Sequence, residues 1–252
     1  MRLFTDAANI GDKYIKITDK GDIKHMIKVM RLAEGDSVDV SDSMEWEYKT
    51  EIVSIDTDEV LLAIVDKQKF AREPETRVTL FQGVPKAGKM ETIIQKCVEL
   101  GVYAIVPVFM ERTVVVEKGN FGKKLDRWQK ISDEAVKQCK RGIIPEVGAS
   151  LKFKEMVGEL SQYDLILFPY ENEEGTTIKD CLRNVVRAVE AGERTMPKHV
   201  CIIIGPEGGF ADKEAEMLDE AGAQRVSLGK TILRTETAGP AALAMAMYEL
   251  EM

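Results

Sequence analysis

Cys201-Ile202-Ile203-Ile204-Gly205-Pro206-Glu207-Gly208-Gly209-Phe210 and, further on, Ser227-Leu228-Gly229-Lys230-Thr231-Ile232-Leu233-Arg234-Thr235-Glu236-Thr237-Ala238-Gly239 decide the fold class of this chain. In each stretch a short apolar run stops at a glycine, polar residues follow, and a helical pattern begins. That is how α/β proteins place ligands at the carboxyl ends of strands. Gly205, Gly208 and Gly209 give the first loop positive-φ freedom and leave room for a ligand to approach backbone without Cβ atoms in the way. A plain tight turn uses glycine for the same reason, so the pairing of two such loops carries the functional weight.

Working outward, the same α/β alternation extends back to about residue 76. Asp164 to Tyr170 reads as a buried strand, and Ile178, Cys181, Leu182, Val185, Val186 and Val189 mark one face of a helix. Val78 to Phe81 reads as a strand, Met90, Ile93, Ile94, Cys97 and Val98 as a helix ended by Gly101, and Ala104 to Phe109 as the next strand, a βαβ unit. Leu125, Trp128, Ile131, Ala135, Val136 and Cys139 mark an amphipathic helix stopped before Pro145. The final helix, Ala241 to Met247, is so short of polar residues that it predicts burial on more than one side, either in a monomer's core or at a subunit interface. Ala71-Arg72-Glu73-Pro74-Glu75-Thr76 is polar and contains proline, which places a domain boundary there. Before it, Tyr14–Ile17, Ser37–Val40, Tyr48–Val53 and Val60–Val65 read as short strands of a small β barrel. One helical patch, Ile23, Met26, Ile27 and Met30, interrupts them before the turn at Glu34-Gly35-Asp36.

Composition bounds the rest. The 252 residues are 44% hydrophobic, enough for one large or two small cores. No apolar run approaches the ~18 residues that span a bilayer, and the first residues lack a secretory apolar segment, so a cytoplasmic location is expected. Cys97, Cys139, Cys181 and Cys201 stand far apart, without metal-ligand spacing, and read as free thiols. A net charge of -8 argues against indiscriminate nucleic-acid binding. Against this, Lys118, Lys123, Lys124, Arg127, Lys130, Lys137, Lys140 and Arg141 crowd one segment, which suits either an RNA-facing surface or a solvated helix face.

The GPEGGF loop, together with LG-x-x-ILR-x-ETA, resembles the RsmE family within the SPOUT superfamily of methyltransferases. Lys89 to Pro107 (KMETIIQKCVELGVYAIVP), Glu134 to Pro145 (EAVKQCKRGIIP) and His25 to Asp36 (HMIKVMRLAEGD) fit the same family, so the resemblance covers nearly the whole chain. It implies a SPOUT-type trefoil-knotted α/β domain over residues 73–252, with a smaller PUA-like RNA-binding β barrel over residues 1–72. Knots are nearly absent from other folds, so this one rests on the resemblance alone. The implied activity is S-adenosylmethionine-dependent methylation of uridine N3 in small-subunit (16S) ribosomal RNA, by a homodimer. A SPOUT ribose 2′-O-methyltransferase and a non-catalytic ribosome-assembly RNA-binding protein are the alternatives.

By resemblance, S-adenosylmethionine is enclosed by backbone groups around Leu167, Phe168 and Pro169, around Ile204, Gly205, Pro206, Glu207 and Gly208, and around Leu228, Gly229, Ile232 and Leu233, with Thr237 and Ala238 also at the site. The GxGxxG dinucleotide fingerprint is absent. A rival motif, GxxxxGK, spans Gly83 to Lys89 after a strand and before a helix, as a phosphate-binding P-loop would. Met90, however, cannot supply the magnesium-binding hydroxyl that follows the lysine. Lys86 and Lys89 are instead expected to face RNA phosphates. Methylation at N3 requires loss of the N3 proton and stabilisation of the resulting negative charge. Arg234 suits that charge on the uracil carbonyls, with Glu236 orienting it or accepting a proton; an Arg234–Glu236 pair that merely braces the loop is the structural alternative. N3 lies on the pairing edge, so the target is unpaired or flipped out. The candidate RNA contacts are Lys28, Arg31, Lys86, Lys89, Arg112, Gln138 and Arg141, any of which also suits a surface ion pair.

Overall fold

The computed structural model describes residues 2–70, 73–116, 121–173 and 175–251. Ala71 and Arg72 of the expected boundary and Lys118 of the cationic segment lie outside the described residues. The chain forms two compact units, Met1–Glu73 with Val136–Ile144, and Pro74–Ala135 with Pro145–Met252.

In the first unit, β1 (Arg2–Phe4), β2 (Tyr14–Ile17), β3 (Ser37–Ser41), β4 (Trp46–Ile55) and β5 (Val60–Lys69) make one sheet in the order β1-β3-β4-β5-β2. All pairs are antiparallel except β1 with β3. Period-two alternation turns Ile15, Ile17, Val38, Val40, Ile52 and Leu62 inward, onto one core with Leu3, Ile23 and Met26. Register shifts at Lys49/Thr50 and Ile52/Ser54 bend the long β4–β5 hairpin. The expected helical patch is a short α1 (Lys20–Lys24) running into π-helical turns over His25–Met30. Only Ile23 and Met26 are buried; Ile27 and Met30 are exposed, because π winding moves residues off the 3.6 period that the sequence pattern assumed. Arg31, in the left-handed region (φ 55°), ends the segment, and Leu32 N–H closes back onto the Met26 carbonyl at 3.0 Å. Residues 136–144 join this unit through specific bonds. Arg2 donates to the Lys140 carbonyl at 2.8 Å, Ser41 Oγ donates to the Gly142 carbonyl, and Arg141 pairs with Glu73 at 2.8 Å.

The second unit is a parallel α/β sheet built from β6 (Arg77–Gly83), β7 (Ala104–Phe109), β8 (Glu146–Val147), β9 (Leu151–Lys152), β10 (Leu165–Pro169), β11 (His199–Ile204) and β12 (Gln224–Val226). The order is β12-β10-β11-β6-β7-β8, with β9 also on β7. The helices are α2 (Lys89–Glu99), α3 (Phe121–Cys139, whose last residues belong to the first unit), α4 (Phe153–Glu159), α5 (Ile178–Glu190), α6 (Asp212–Glu220) and α7 (Thr235–Glu251). Both sheet faces are covered, which is why the central strands read as unbroken apolar runs. Phe81, Ile166, Phe168, Cys201 and Ile203 face α4 and α6 through Phe153, Met156, Ala215 and Leu218. On the other face α7 packs against β6 and β11 and between α2 and α5. There Ala242, Leu243, Ala246, Met247 and Leu250 are buried, while Met245 and Tyr248 are exposed. No helix among the described residues is long and apolar enough to cross a membrane.

Candidate functional site

The order of strands creates the site. β11 lies between β10 and β6, and β12 returns to the far side of β10, so the connections diverge at the carboxyl ends of β10, β11 and β12. A crevice opens where connections diverge in such sheets. It is a cavity of about 810 Å³, lined by the loops following these three strands, by the first turn of α7 and by Lys89 at the start of α2.

Each loop is held by its own chemistry. The segment after β12 is braced by the β10–α5 connection: Ser227 N–H donates to the Thr176 carbonyl at 2.8 Å, and Ile178 N–H to the Ser227 carbonyl at 3.0 Å. In the loop after β11, Gly209 takes φ 68°, and its N–H donates to the Pro206 carbonyl at 2.9 Å. A Cβ at Gly209 would lie 2.6 Å from a Glu171 carboxylate oxygen, and one at Gly83, on the neighbouring strand, 2.5 Å from the Pro206 nitrogen. Both positions therefore need glycine, one for conformation and space, the other for backbone approach. Buried Glu214 accepts from Ala211 N–H at 2.9 Å and Glu111 N–H at 2.8 Å, tying the loop after β7 to the loop after β11. Behind the cavity, the buried Gln82 amide donates to Thr235 Oγ1 at 2.9 Å, and that hydroxyl donates to the Gly205 carbonyl at 2.7 Å. This relay fastens α7 to the loop after β11.

The walls combine apolar surface with charges of both signs. Tyr170 and Phe210 line the cavity, and Phe168 supports them from behind with ring centroids 6.2 and 5.8 Å away. Lys89 Nζ lies 3.0 Å from Glu207 and 3.1 Å from Glu236. The hydrogen bonds to Glu207 and then Glu236 raise the Lys89 pKa above the usual lysine value. Burial pushes Glu207 upward, but the bonds from Lys89 and from backbone N–H groups outweigh it and hold this carboxyl below its ordinary range. Glu236 is also lowered, first by its own backbone N–H at the helix start and, against some desolvation, by Lys89 and Arg234. Arg234 lines the cavity with no hydrogen bond or ion pair to its side chain among the described residues.

The residues expected at the cofactor divide accordingly. Pro169, Ile204 through Glu207, Leu228, Gly229, Ile232, Leu233 and Ala238 line the cavity, as does Arg234. Leu167 and Phe168 are fully buried in β10 and outside the lining, because a central strand turns these side chains into the two cores. Gly208, Thr237 and Glu236 are also outside the lining. The ion-pair partner of Glu236 is Lys89, and Arg234 acts on it only at longer range. Of the expected RNA contacts, Lys28, Arg31, Lys86 and Gln138 are exposed. Lys89 is committed to the two carboxylates, Arg112 donates to the Gly208 carbonyl at 2.9 Å, and Arg141 is 6% exposed and bound to Glu73. Sequence reasoning did not assign to the site Tyr170, which it read as the end of a strand, nor Glu171 and Glu173 beyond it, nor the Gln82–Thr235 relay, which had no local signal.

The pattern of an RNA methyltransferase domain matches residues 72–247, and that of an RNA methyltransferase PUA domain matches residues 17–65. The ribosomal RNA small subunit methyltransferase E of Bacillus subtilis (strain 168) is 32% identical over 234 residues, 92% of this chain and 89% of that one. The chain belongs to the ribosomal RNA small subunit methyltransferase E family. Among solved structures, the family member from Neisseria gonorrhoeae bound to S-adenosyl methionine superposes with a TM-score of 0.80 at 26% identity, covering 98% of this chain and 96% of that one. A putative methyltransferase from Legionella pneumophila in complex with bound SAM gives 0.78 at 27% identity, again over 98% and 96%. The N-terminal unit, with its separate and mostly antiparallel sheet, is thus PUA-like, and the parallel α/β unit carries the methyltransferase domain of the family.

Proposed function

We propose that this protein methylates small-subunit (16S) ribosomal RNA in the cytoplasm, transferring a methyl group from S-adenosylmethionine to N3 of a uridine. The observation that carries the reading is the three-loop cavity at the carboxyl ends of β10, β11 and β12, with unpartnered Arg234 on its wall, in a chain of this family. The cavity fits the donor on its own terms. Gly83 and Gly209 let the loop after β11 pack closely against β6 and Glu171, and the lining joins apolar surface to Glu171 and Glu173, carboxylates that suit a cationic ligand. When bound, S-adenosylmethionine supplies an activated methyl group on a sulfonium.

The protein's own part is to bind, orient and stabilise charge. Backbone groups of residues 204–207 and 228–233 enclose the donor, while Tyr170 and Phe210 exclude water from one side. Arg234 stabilises the negative charge that develops on the uracil carbonyl oxygens as N3 loses its proton. Glu236 serves the site through Lys89 rather than as the base. The N-terminal unit, with Lys28 and Arg31, and exposed Lys86 and Gln138 contact RNA; a boundary near residues 72–73 divides the PUA-like domain from the methyltransferase domain. Two further features belong to the reading. The chain is threaded as a trefoil knot, supported by the placement of α7 between α2 and α5 after the chain has passed the far strand β12. It acts as a homodimer, supported by exposed Met245 and Tyr248 on the otherwise apolar α7.

Arg234→Ala tests the assignment. Loss of one aimed donor lowers kcat by about 10²–10³-fold, with the donor Kd nearly unchanged. Full kcat in this variant refutes the role of Arg234, and undetectable donor binding by the wild-type protein refutes the methyltransferase reading.

A further inference from the structure

Lys89 occupies a position that needs an explanation. It is the first residue of α2, where the positive end of the helix dipole opposes a cation. Its ammonium is nonetheless held between two carboxylates from separate parts of the chain, Glu207 in the loop after β11 and Glu236 in the first turn of α7. Glu207 also accepts the Lys86 N–H at 3.0 Å, so the turn leading into α2, with Ala87 in the left-handed region, is tied to the same carboxylate. The two segments joined by Lys89 are also joined from the buried side, by the Gln82–Thr235–Gly205 relay.

We propose that Lys89 is a positioning residue of the donor site, a clamp that fixes the loop after β11 against the start of α7 through Glu207 and Glu236. This rests on the methyltransferase reading above. Without the ammonium, two negative carboxylates are left beside each other with no shared cation, and the loops must be ordered by the donor itself, which weakens its binding. With its ammonium ion-paired to two carboxylates, the lysine of the GxxxxGK sequence is already neutralised within the chain rather than held out as a phosphate hook. The raised Lys89 and lowered Glu207 and Glu236 pKa values agree with a clamp that stays charged at neutral pH. The relay keeps α7 docked when the clamp is cut, so the variant loses loop order rather than its fold.

The test compares full-length wild type, Lys89→Met, Lys89→Arg and Lys96→Met. The readouts are S-adenosylmethionine Kd by calorimetry, KM and kcat, and affinity for small-subunit ribosomal RNA over a salt series. Wild-type donor binding checks the underlying reading separately. Lys89→Met is expected to raise donor Kd and KM about tenfold, the scale of one charge-assisted contact, with kcat and the RNA salt dependence retained. Lys89→Arg, whose fork can reach both carboxylates, recovers most of the affinity. Lys96→Met, in the same helix and paired there with Glu99, changes nothing. An unchanged donor Kd overturns the proposal, and so does a loss of RNA affinity with a shallower salt slope, which makes Lys89 a phosphate ligand. If Lys89→Met does not fold, Glu236→Gln decides, because Glu236 pairs with Lys89 from outside the cavity lining: weakened donor binding supports the clamp, and wild-type binding overturns it.

Discussion

Replacing Gly83 with alanine tests whether backbone contact between β6 and the loop after β11 shapes the donor site. The new methyl carbon would lie 2.5 Å from the Pro206 nitrogen, 2.7 Å from its Cδ and 2.9 Å from the Gly205 carbonyl carbon. These are backbone and ring atoms, not the tip of a flexible side chain, so they cannot swing away. Restoring ordinary van der Waals contact requires the loop to retreat by about 0.9 Å. Overpacking of this kind costs about 1–3 kcal/mol, and each kcal/mol lowers the melting temperature by roughly 2–4 °C in a domain of 150–250 residues. A displacement near 1 Å at a reacting centre costs up to about 10²-fold in rate. The assay is a melting curve with and without S-adenosylmethionine, paired with calorimetric donor Kd. Gly158→Ala in α4, where an added Cβ meets nothing within 4 Å, is the control and should stabilise by about 0.5–1 kcal/mol. Wild-type melting and donor affinity in Gly83→Ala would refute the argument.

Thr235→Val removes the hydroxyl linking Gln82 to Gly205; the buried Gly205 carbonyl loses its side-chain donor and the Gln82 amide keeps only its bond to the Gly83 carbonyl, so urea unfolding should show a loss of about 1–3 kcal/mol; an unchanged midpoint contradicts the relay. Asp164 accepts N–H bonds from His199 and Lys198 at 2.9 and 2.8 Å, the His199 bond being the larger cause of its lowered pKa. Its folded pKa lies below the unfolded one, so its contribution is present above the ordinary aspartate range and disappears as pH falls through the folded value. Asp164→Asn should therefore be less stable than wild type at pH 7, with the gap closing in acid; a gap constant with pH excludes this linkage. Burial pushes the Cys97 and Cys201 thiols far above their ordinary pKa, so neither should react with a thiol reagent at pH 7.5 in the folded protein. Rapid native-state labelling of either would show that the sheet core opens.

The parts of the fold that depend on local pattern were legible in the sequence. Ala104–Phe109 is a strand with the bounds its apolar run suggested, and the GPEGG and LG-x-x-ILR loops do follow β11 and β12. What escaped depends on contacts distant in sequence. Nothing in the run Gln224–Val226 announces that its strand lies beyond β10, and this placement brings Tyr170 and Glu171 into the cavity. Arg141 reads as a surface cation because Glu73, the partner it is buried against, lies 68 residues earlier. Lys89 likewise reads as facing RNA phosphates and Glu236 as serving Arg234, since only the folded chain brings the two together. The π-helical turns at His25–Met30 defeated a rule that assumes 3.6 residues per turn, leaving Ile27, Val29 and Met30 exposed.

The central claim is the transfer of a donor methyl group to uridine N3. The most direct measurement is to incubate the purified protein with methyl-labelled S-adenosylmethionine and small ribosomal subunits from cells lacking the modification, then digest the RNA and identify the labelled nucleoside. The account predicts label in 3-methyluridine, lost with Arg234→Ala. Label in a 2′-O-methyl nucleoside, or none in subunits and free RNA alike, would contradict it.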